Sequence, residues 1–206
     1  MRPFLTMSFI ALFASPVAAI GETAEACIGL RGHLIERKAE AGDQDAQYYL
    51  HRILSDESCS QQEQQEALNW LERAATSGHP EAAFQLGIRY VTGFDVVEDL
   101  VRGLALMETA AIAGHREAQF QYAMIMLGSA SSREHREIGL YWLGAAASQG
   151  DTKAALTLGH IYAGGLHGVS KETCWATDWF DAAFSLAEEA EIEITHLVPS
   201  DIECNV

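Results

Sequence analysis

Apolar residues recur along this chain at helical spacing, in segments separated by short polar turns. Ala46, Leu50 and Leu54 fall on one face of a predicted helix over residues 43–54. A polar loop follows, and a second amphipathic segment covers residues 62–77. The same two-helix plan then returns at a fixed interval to about residue 190. The pattern therefore predicts a chain of helical hairpins.

Small residues mark the repeat at an interval of 36 residues. This spacing separates Gly42, Gly78, Gly114 and Gly150, and also Ala39, Ala75, Ala111, Ala147 and Ala183, and Ala46, Ala82, Ala118 and Ala154. Self-similarity at a period of roughly 20 to 50 residues is typical of solenoids, in which each unit buries its apolar face only against its neighbours. We therefore predict an all-α fold, a right-handed superhelical solenoid of αα-hairpins with about four 36-residue repeats.

The predicted solenoid occupies residues 43–190, between two different end segments. Residues 20–42 form an N-terminal helix equivalent to the second helix of a repeat, and residues 191–206 form a C-terminal tail. Residues 1–19 have the pattern of a cleavable secretory signal, with Arg2 at the start, an apolar run over 4–14 and small residues before the cut. That run is too short for a membrane span. The predicted location is the periplasm or the extracellular medium.

Four cysteines are consistent with an oxidising compartment. Cys27 and Cys59 lie in the first third of the chain, and Cys174 and Cys204 lie in the last. Four cysteines allow three pairings, and the sequence alone does not choose between them. Because contacts in a solenoid stay between neighbouring elements, Cys27–Cys59 and Cys174–Cys204 are the favoured pairs, each tying one end to the array.

The formal net charge of -16 restricts the class of partner. Removal of residues 1–19 takes Arg2 away and leaves 12 basic against 29 acidic residues, a charge of -17. An acidic protein repels phosphate backbones and anionic lipid headgroups, which argues against nucleic acid or a membrane surface as the partner. Another protein with a basic surface is compatible with this charge, although an acidic surface also serves solubility alone.

The repeat resembles the Sel-one-like repeat, a relative of the tetratricopeptide repeat. Its first half reads Ala-x-x-x-Leu-Gly-x-x-Tyr-x-x-Gly and its second half Ala-x-x-Trp-x-x-x-Ala-Ala-x-x-Gly. The first half is matched by Ala82, Leu86, Gly87, Tyr90 and Gly93, and the second by Trp70, Ala74, Ala75 and Gly78 and by Trp142, Ala146, Ala147 and Gly150. The resemblance covers roughly residues 40–185. The third repeat departs from it, with Tyr122, Ala123 and Met126 where Leu, Gly and Tyr are usual.

The resemblance implies an αα superhelix that binds other proteins, and it leaves several functions open. The favoured interpretation is a periplasmic, non-enzymatic scaffold, adaptor or regulator of an envelope protein complex. The alternative is an immunity protein that neutralises a secreted toxin, such as a periplasm-acting lipase. A β-lactam-binding or β-lactam-hydrolysing enzyme is a third option. The cysteine-rich branch linked to that activity carries a disulfide in each repeat, and the second and third repeats here contain no cysteine.

The sequence contains no motif typical of catalysis, of a cofactor or of a metal site. Gly-x-Ser-x-Gly, His-Glu-x-x-His and a phosphate-binding Gly-rich loop followed by Lys are all absent from it. Its cysteines lack the Cys-x-x-Cys spacing of structural zinc sites. His79 and His115 occupy the same turn position in successive repeats, which favours a structural role. We therefore predict no catalytic residue, no cofactor and no metal.

A binding surface is predicted from helix geometry. Ala82, Leu86 and Tyr90 are expected to point into the core, so that the intervening residues of the same helix point outward. In superhelices of this kind, the outward residues of the first helices line the concave face. The predicted protein-binding residues are Tyr49, Arg52, Glu81, Gln85, Arg89, Gln121, Met124, Thr157 and His160. We call these nine residues the first-helix face.

Overall fold

A computed structural model describes residues 33–129 and 132–199, together with residues 202 and 204. The predicted signal and Cys27 lie outside the described residues. Within them, residues 33–40 are helical and are called α1. The following helices are α2 (Gln44–Leu54), α3 (Gln61–Thr76), α4 (Pro80–Thr92), α5 (Leu100–Ile112), α6 (Arg116–Gly128), α7 (Arg133–Ser148), α8 (Thr152–Gly164) and α9 (Thr173–Glu189). Two short 3-10 turns occupy Leu166–Gly168 and Thr195–Leu197.

Helices α2 to α9 form four antiparallel pairs that stack in chain order. The pairs are α2 with α3, α4 with α5, α6 with α7, and α8 with α9; each pair then packs on the next through consecutive helices. The described residues contain no strand. The predicted all-α solenoid of helical hairpins is therefore confirmed. No described helix combines the length and the apolar character that crossing a bilayer would need.

The glycines that mark the repeat reverse the chain between pairs. Gly42, Gly78, Gly114 and Gly150 all have left-handed backbones, with φ between +85° and +94°. After each one, the next backbone N–H donates to a carbonyl five residues earlier, as from His79 to Ala74 at 3.0 Å. This is the geometry of a Schellman cap, which a residue with a side chain adopts only at a cost. The spacing of 36 residues is thus the spacing of the turns.

Alanine and glycine let the helices of the array approach closely. Six alanines are fully buried, three in the second helices and three in the first: Ala74, Ala110, Ala146, Ala82, Ala118 and Ala154. Gly87 and Gly103 face each other so closely that a Cβ on either would lie about 3 Å from the other's carbonyl oxygen. Trp142 contacts the apolar clusters on both sides of it and so fills the gap between helical pairs.

The 36-residue register slips by one residue in the last pair. Met107 packs on Gly87, 20 residues before it, whereas Phe180 packs on Gly159, 21 residues before it. The loop from α8 to α9 has eight residues, against seven between α4 and α5. Ala183 therefore takes the place of Ala146 and not of Ala147, so the predicted equivalence of Ala183 is wrong. Residue 186, 36 positions after Gly150, is Leu, and α9 continues past it to Glu189 and buries Ala187.

The tail is fixed to the end of the array. Cys174 at the start of α9 forms a disulfide with Cys204, which confirms one predicted pair. Ile194 is buried, and Val198 and Ile202 pack on the last apolar cluster. At the other end, Cys59 is disulfide-bonded. Since Cys27 lies outside the described residues, the Cys27–Cys59 pair stays a prediction.

Candidate protein-binding surface

The first helix of each pair begins at the same register position with a side chain that caps it. These N-cap residues are Asp43, His79, His115 and Asp151. Each accepts a hydrogen bond from the backbone N–H three residues later, at 3.0 to 3.1 Å. The cap fixes where the helix starts and therefore which side chains point outward. His79 and His115 thus have the structural role that the sequence predicted.

Polar side chains connect the first helices of the first three pairs. His115 accepts at Nδ1, so its ring proton lies on Nε2, which donates to Glu81 Oε2 at 2.6 Å. Gln85 Nε2 lies 2.8 Å from Glu81 Oε1 and 2.9 Å from the Tyr48 hydroxyl. The Tyr48 ring stacks on His79 with centroids 4.4 Å apart. One continuous network thus joins α2, α4 and the start of α6.

The charge states in this network follow from burial and from its hydrogen bonds. Burial alone would raise the pKa of Glu81, but hydrogen bonds from His115 and Gln85 favour the carboxylate, and the net pKa lies below its ordinary value. Burial lowers the pKa of His79, against the opposing effect of Asp45. Burial also raises the pKa of Tyr48. At neutral pH the network therefore contains an ionised Glu81 and a neutral His79.

A polar cavity of about 410 Å³ opens where the first two pairs meet. It is lined by His51, Ser55, Glu57, Gln61, Gln64, Gln65, Leu68, Arg89, Phe94 and Asp95. Arg89 Nη1 donates to Asp95 at 2.8 Å, and its guanidinium lies 5.5 Å from the centre of the Phe94 ring. The cavity therefore presents amide, carboxylate and aromatic groups together, a mixture typical of protein-binding surfaces.

His51 forms the buried part of this cavity. Only 5% of it is exposed, and its Nδ1 bonds to the Ala67 carbonyl at 2.9 Å. Burial lowers its pKa, so the ring is neutral at neutral pH. The later pairs have Gly87, Ala123 and Gly159 at the same register position. That departure from small residues was a signal in the sequence, and the prediction of the first-helix face missed it.

None of the nine residues of the first-helix face is buried. Tyr49 and Arg52 are exposed on α2, and Tyr49 is 50% exposed. Glu81, Gln85 and Arg89 are half-buried because the network and the cavity engage them. Sequence reasoning missed their partners Tyr48, His51 and Phe94.

The remaining residues of the first-helix face are not joined to this network by any described bond. Gln121 donates to Glu117 of its own helix at 2.8 Å, and Thr157 donates to the Lys153 carbonyl at 2.7 Å. Met124 is exposed, whereas His160 packs edge-on against Phe180. The polar surface that connects several elements is therefore centred on α2 and α4.

Exposed apolar side chains follow Phe94, which lines the cavity, along the chain. Phe94, Val97, Leu100 and Val101 are each more than half exposed, and Val97 is 87% exposed. The loop that carries the first two also contains Asp95, Glu98 and Asp99. An apolar group with acidic neighbours extends the candidate surface past the nine predicted residues.

A search for ionisable clusters gives no support for metal chemistry in the described part of the chain. There, no group of three or more His, Cys, Asp or Glu side chains could hold a metal ion. The groups that the candidate surface presents are hydrogen-bond donors and acceptors and exposed apolar side chains.

Comparison with protein families identifies the repeat. The profile described as the Sel1 repeat matches residues 44–79, 80–115 and 116–151. These are the first three helical pairs, each ending at the N-cap residue of the next. The fourth pair, α8 and α9, continues the same architecture beyond the matched residues. A search of curated proteins found no match.

Solved structures with the same fold include two at 25% identity or above. The chain is 25% identical to c5321, a protective antigen of uropathogenic Escherichia coli with an SLR fold, at a TM-score of 0.63 over 74% of this chain and 32% of that one. It is 29% identical to a Sel1 repeat protein from Oxalobacter formigenes, at a TM-score of 0.61 over 74% of this chain and 62% of that one. The chain thus spans about a third of the first and under two thirds of the second.

A third structure shares the fold at lower identity. The immunity protein Pa5087 from Pseudomonas aeruginosa is 16% identical, at a TM-score of 0.51 over 82% of this chain and 64% of that one. At this identity the likeness concerns the fold alone.

Proposed function

Because the chain belongs to the Sel1 repeat family, we propose that it is a periplasmic, non-enzymatic protein-binding module that acts as an adaptor or regulator of an envelope protein complex. Sel1 repeats mediate protein–protein interaction. The observation that carries the proposal is the surface of α2 and α4, where the half-buried Glu81 and Gln85 are hydrogen-bonded in the network and the half-buried Arg89 lines a 410 Å³ polar cavity. Its side chains are held in place before binding, which lowers the entropic cost of association.

The proposed location is supported by the chemistry of the two ends. Residues 1–19 have a secretory pattern, and the Cys174–Cys204 disulfide is typical of proteins in oxidising compartments. The proposed partner is a protein with a basic surface, since the chain carries a formal charge of -16. Association with such a partner should slow as salt screens the charges.

The experiment is affinity capture with residues 20–206 as bait, from the periplasmic and membrane fractions of the source organism, without reductant. The variant Y49A/R52A removes two exposed residues of the first-helix face on α2. The variant R133A/Y141A is its matched control, because it removes the same two residue types from exposed positions on α7.

We expect the wild type and R133A/Y141A to capture the same partner in similar amounts. Y49A/R52A should capture at least about tenfold less of it, the loss typical of truncating a Tyr or Arg hot spot. Several envelope components would support an adaptor. A single toxin bound one-to-one would replace this role by the immunity role. Equal retention by all three baits would remove the first-helix face from the proposal, and hydrolysis of a chromogenic β-lactam would contradict the non-enzymatic assignment.

A further inference from the structure

The four N-caps of the first helices differ in one chemical respect. The two outer ones, Asp43 and Asp151, are carboxylates, and the two inner ones, His79 and His115, are imidazoles. All four make the same hydrogen bond, to the amides of Ala46, Ala82, Ala118 and Ala154. The array therefore contains an internal comparison between imidazole caps and carboxylate caps.

A histidine can act as this cap only in its neutral form. The ring accepts the amide N–H at Nδ1, which must carry no proton to do so. Protonation places an N–H there, facing another N–H, and the bond is lost. A positive charge at the N-terminus of a helix is also disfavoured by the helix dipole. An aspartate has no such requirement, because its carboxyl group keeps an acceptor oxygen in both the ionised and the protonated form.

The charged groups around His115 come from two helices. Glu81 of α4 lies 2.6 Å from Nε2, and Arg116 and Glu117 of α6 line the same surface depression. Phe84 of α4 packs on the ring with centroids 4.7 Å apart, and Gln149 lies at the end of α7. Protonation would turn the bond to Glu81 into an ion pair while ending the bond to Ala118. Protonation of His115 would therefore exchange the bond that caps α6 for an ion pair with Glu81.

His79 has weaker acidic partners. Asp45 of α2 lies 3.8 Å from Nε2, and Glu81 of its own helix and His115 also act on its charge. Tyr48 of α2 covers one face of the ring. Burial lowers the pKa of His79, which favours the neutral, capping form of the ring.

We propose that His79 and His115 make the first-helix face acid-responsive: protonation of the two rings releases the first turns of α4 and α6 and holds Glu81 in a charged pair. Glu81 lies in the first turn of α4 and Gln85 in its second turn, and both belong to the network that contacts the two rings. The regulation of binding rests on the proposed function, whereas the change in the caps does not. Acid would thus weaken partner binding through the geometry of these two helices.

The test is NMR of the 15N-labelled mature protein without any partner, at about pH 7.5 and about pH 5, values on either side of histidine titration. We expect both rings to be neutral with the proton on Nε2 at the higher pH. On acidification, the protection factors of the Ala82 and Ala118 amides should fall about fivefold to tenfold, the loss expected for one N-cap. Those of Ala46 and Ala154, capped by aspartate, should stay within about twofold.

The variant H79N/H115N supplies caps that do not titrate, because asparagine is a strong N-cap residue. It should keep the protection of all four amides at both pH values. The proposal is overturned if Nδ1 carries the proton at neutral pH, if the four amides change together or not at all, or if the variant still loses protection at Ala82 and Ala118. Failure to capture a partner would overturn the proposed function and leave this result unchanged.

Discussion

In the first two helical pairs, α2 to α5, a polar side chain of α4 bonds to one of α2. No described bond joins α6 to α8, the corresponding helices of the last two pairs. Gln85 reaches Tyr48 across α2 and α4, but Gln121 and Thr157 bond only to their own helices. The core behaves in the opposite way, since the same small residues are buried in all four pairs. The repeat thus specifies the packing, and departures from it on the outward side specify a local surface.

The end of the array is held by its tail. The second half finishes in α9, and its tail is tied to α9 by Cys174–Cys204. Because each repeat contacts only its neighbours, a change at one end should remain local. A variant that destabilises one end should therefore leave the stability of the other end unchanged.

The largest effect is expected from removing the disulfide of the last pair. The variant C174S/C204S opens a loop of 30 residues and should cost about 2–4 kcal/mol of stability in that region. Hydrogen exchange followed by mass spectrometry should show faster exchange in α8, α9 and the tail, with α2 to α5 unchanged. Equal acceleration in α2 to α5 would contradict the local, nearest-neighbour description.

A smaller effect is expected from filling the closest helix contact of the second half. In G159A the new Cβ would lie 2.5 Å from the Phe180 ring, and the overpacking should cost about 1–3 kcal/mol. The control is G144A in α7, where nothing lies within 4 Å of the new Cβ. Since alanine favours a helix over glycine, G144A should gain about 0.5–1 kcal/mol. Urea unfolding would measure both, and changes of the same sign would refute the contact.

The smallest effect is a pH dependence that belongs to the first half. Burial lowers the pKa of His51 below its ordinary value of 6.5, so the unfolded chain takes up the proton first. The stability from this group is present above about pH 6.5 and is lost as the pH falls through the lower, folded pKa. We therefore expect unfolding free energy to decrease between about pH 7 and about pH 5.

The variant H51Q, which lacks this titrating group, should lose less stability over the same interval. The exposed tail histidine supplies the control, and H196Q should behave as wild type. Urea unfolding at the two pH values measures the difference. An identical pH dependence in wild type and H51Q would show that the burial of His51 has no such consequence.

The sequence predicted the features that repeat and missed those that occur once. The glycine turns and buried alanines follow from a period of 36 residues, and the Cys174–Cys204 pair follows from neighbour contacts. The register slip before Phe180 comes from one extra loop residue, and loop length carries no periodic signal. The network between Tyr48, Gln85 and His115 joins residues more than 30 positions apart, and its bonds depend on rotamers that spacing does not fix.

The most direct test of the account is site-specific photocrosslinking in the source organism. Benzoylphenylalanine would replace Tyr49 on the first-helix face of α2 or Tyr141 on α7; both tyrosines are at least half exposed. If the protein binds its partner through α2 and α4, light should produce a single strong adduct from position 49 and little or none from position 141. An adduct from position 141 alone, equal adducts from both positions, or none from either would contradict binding through the first-helix face.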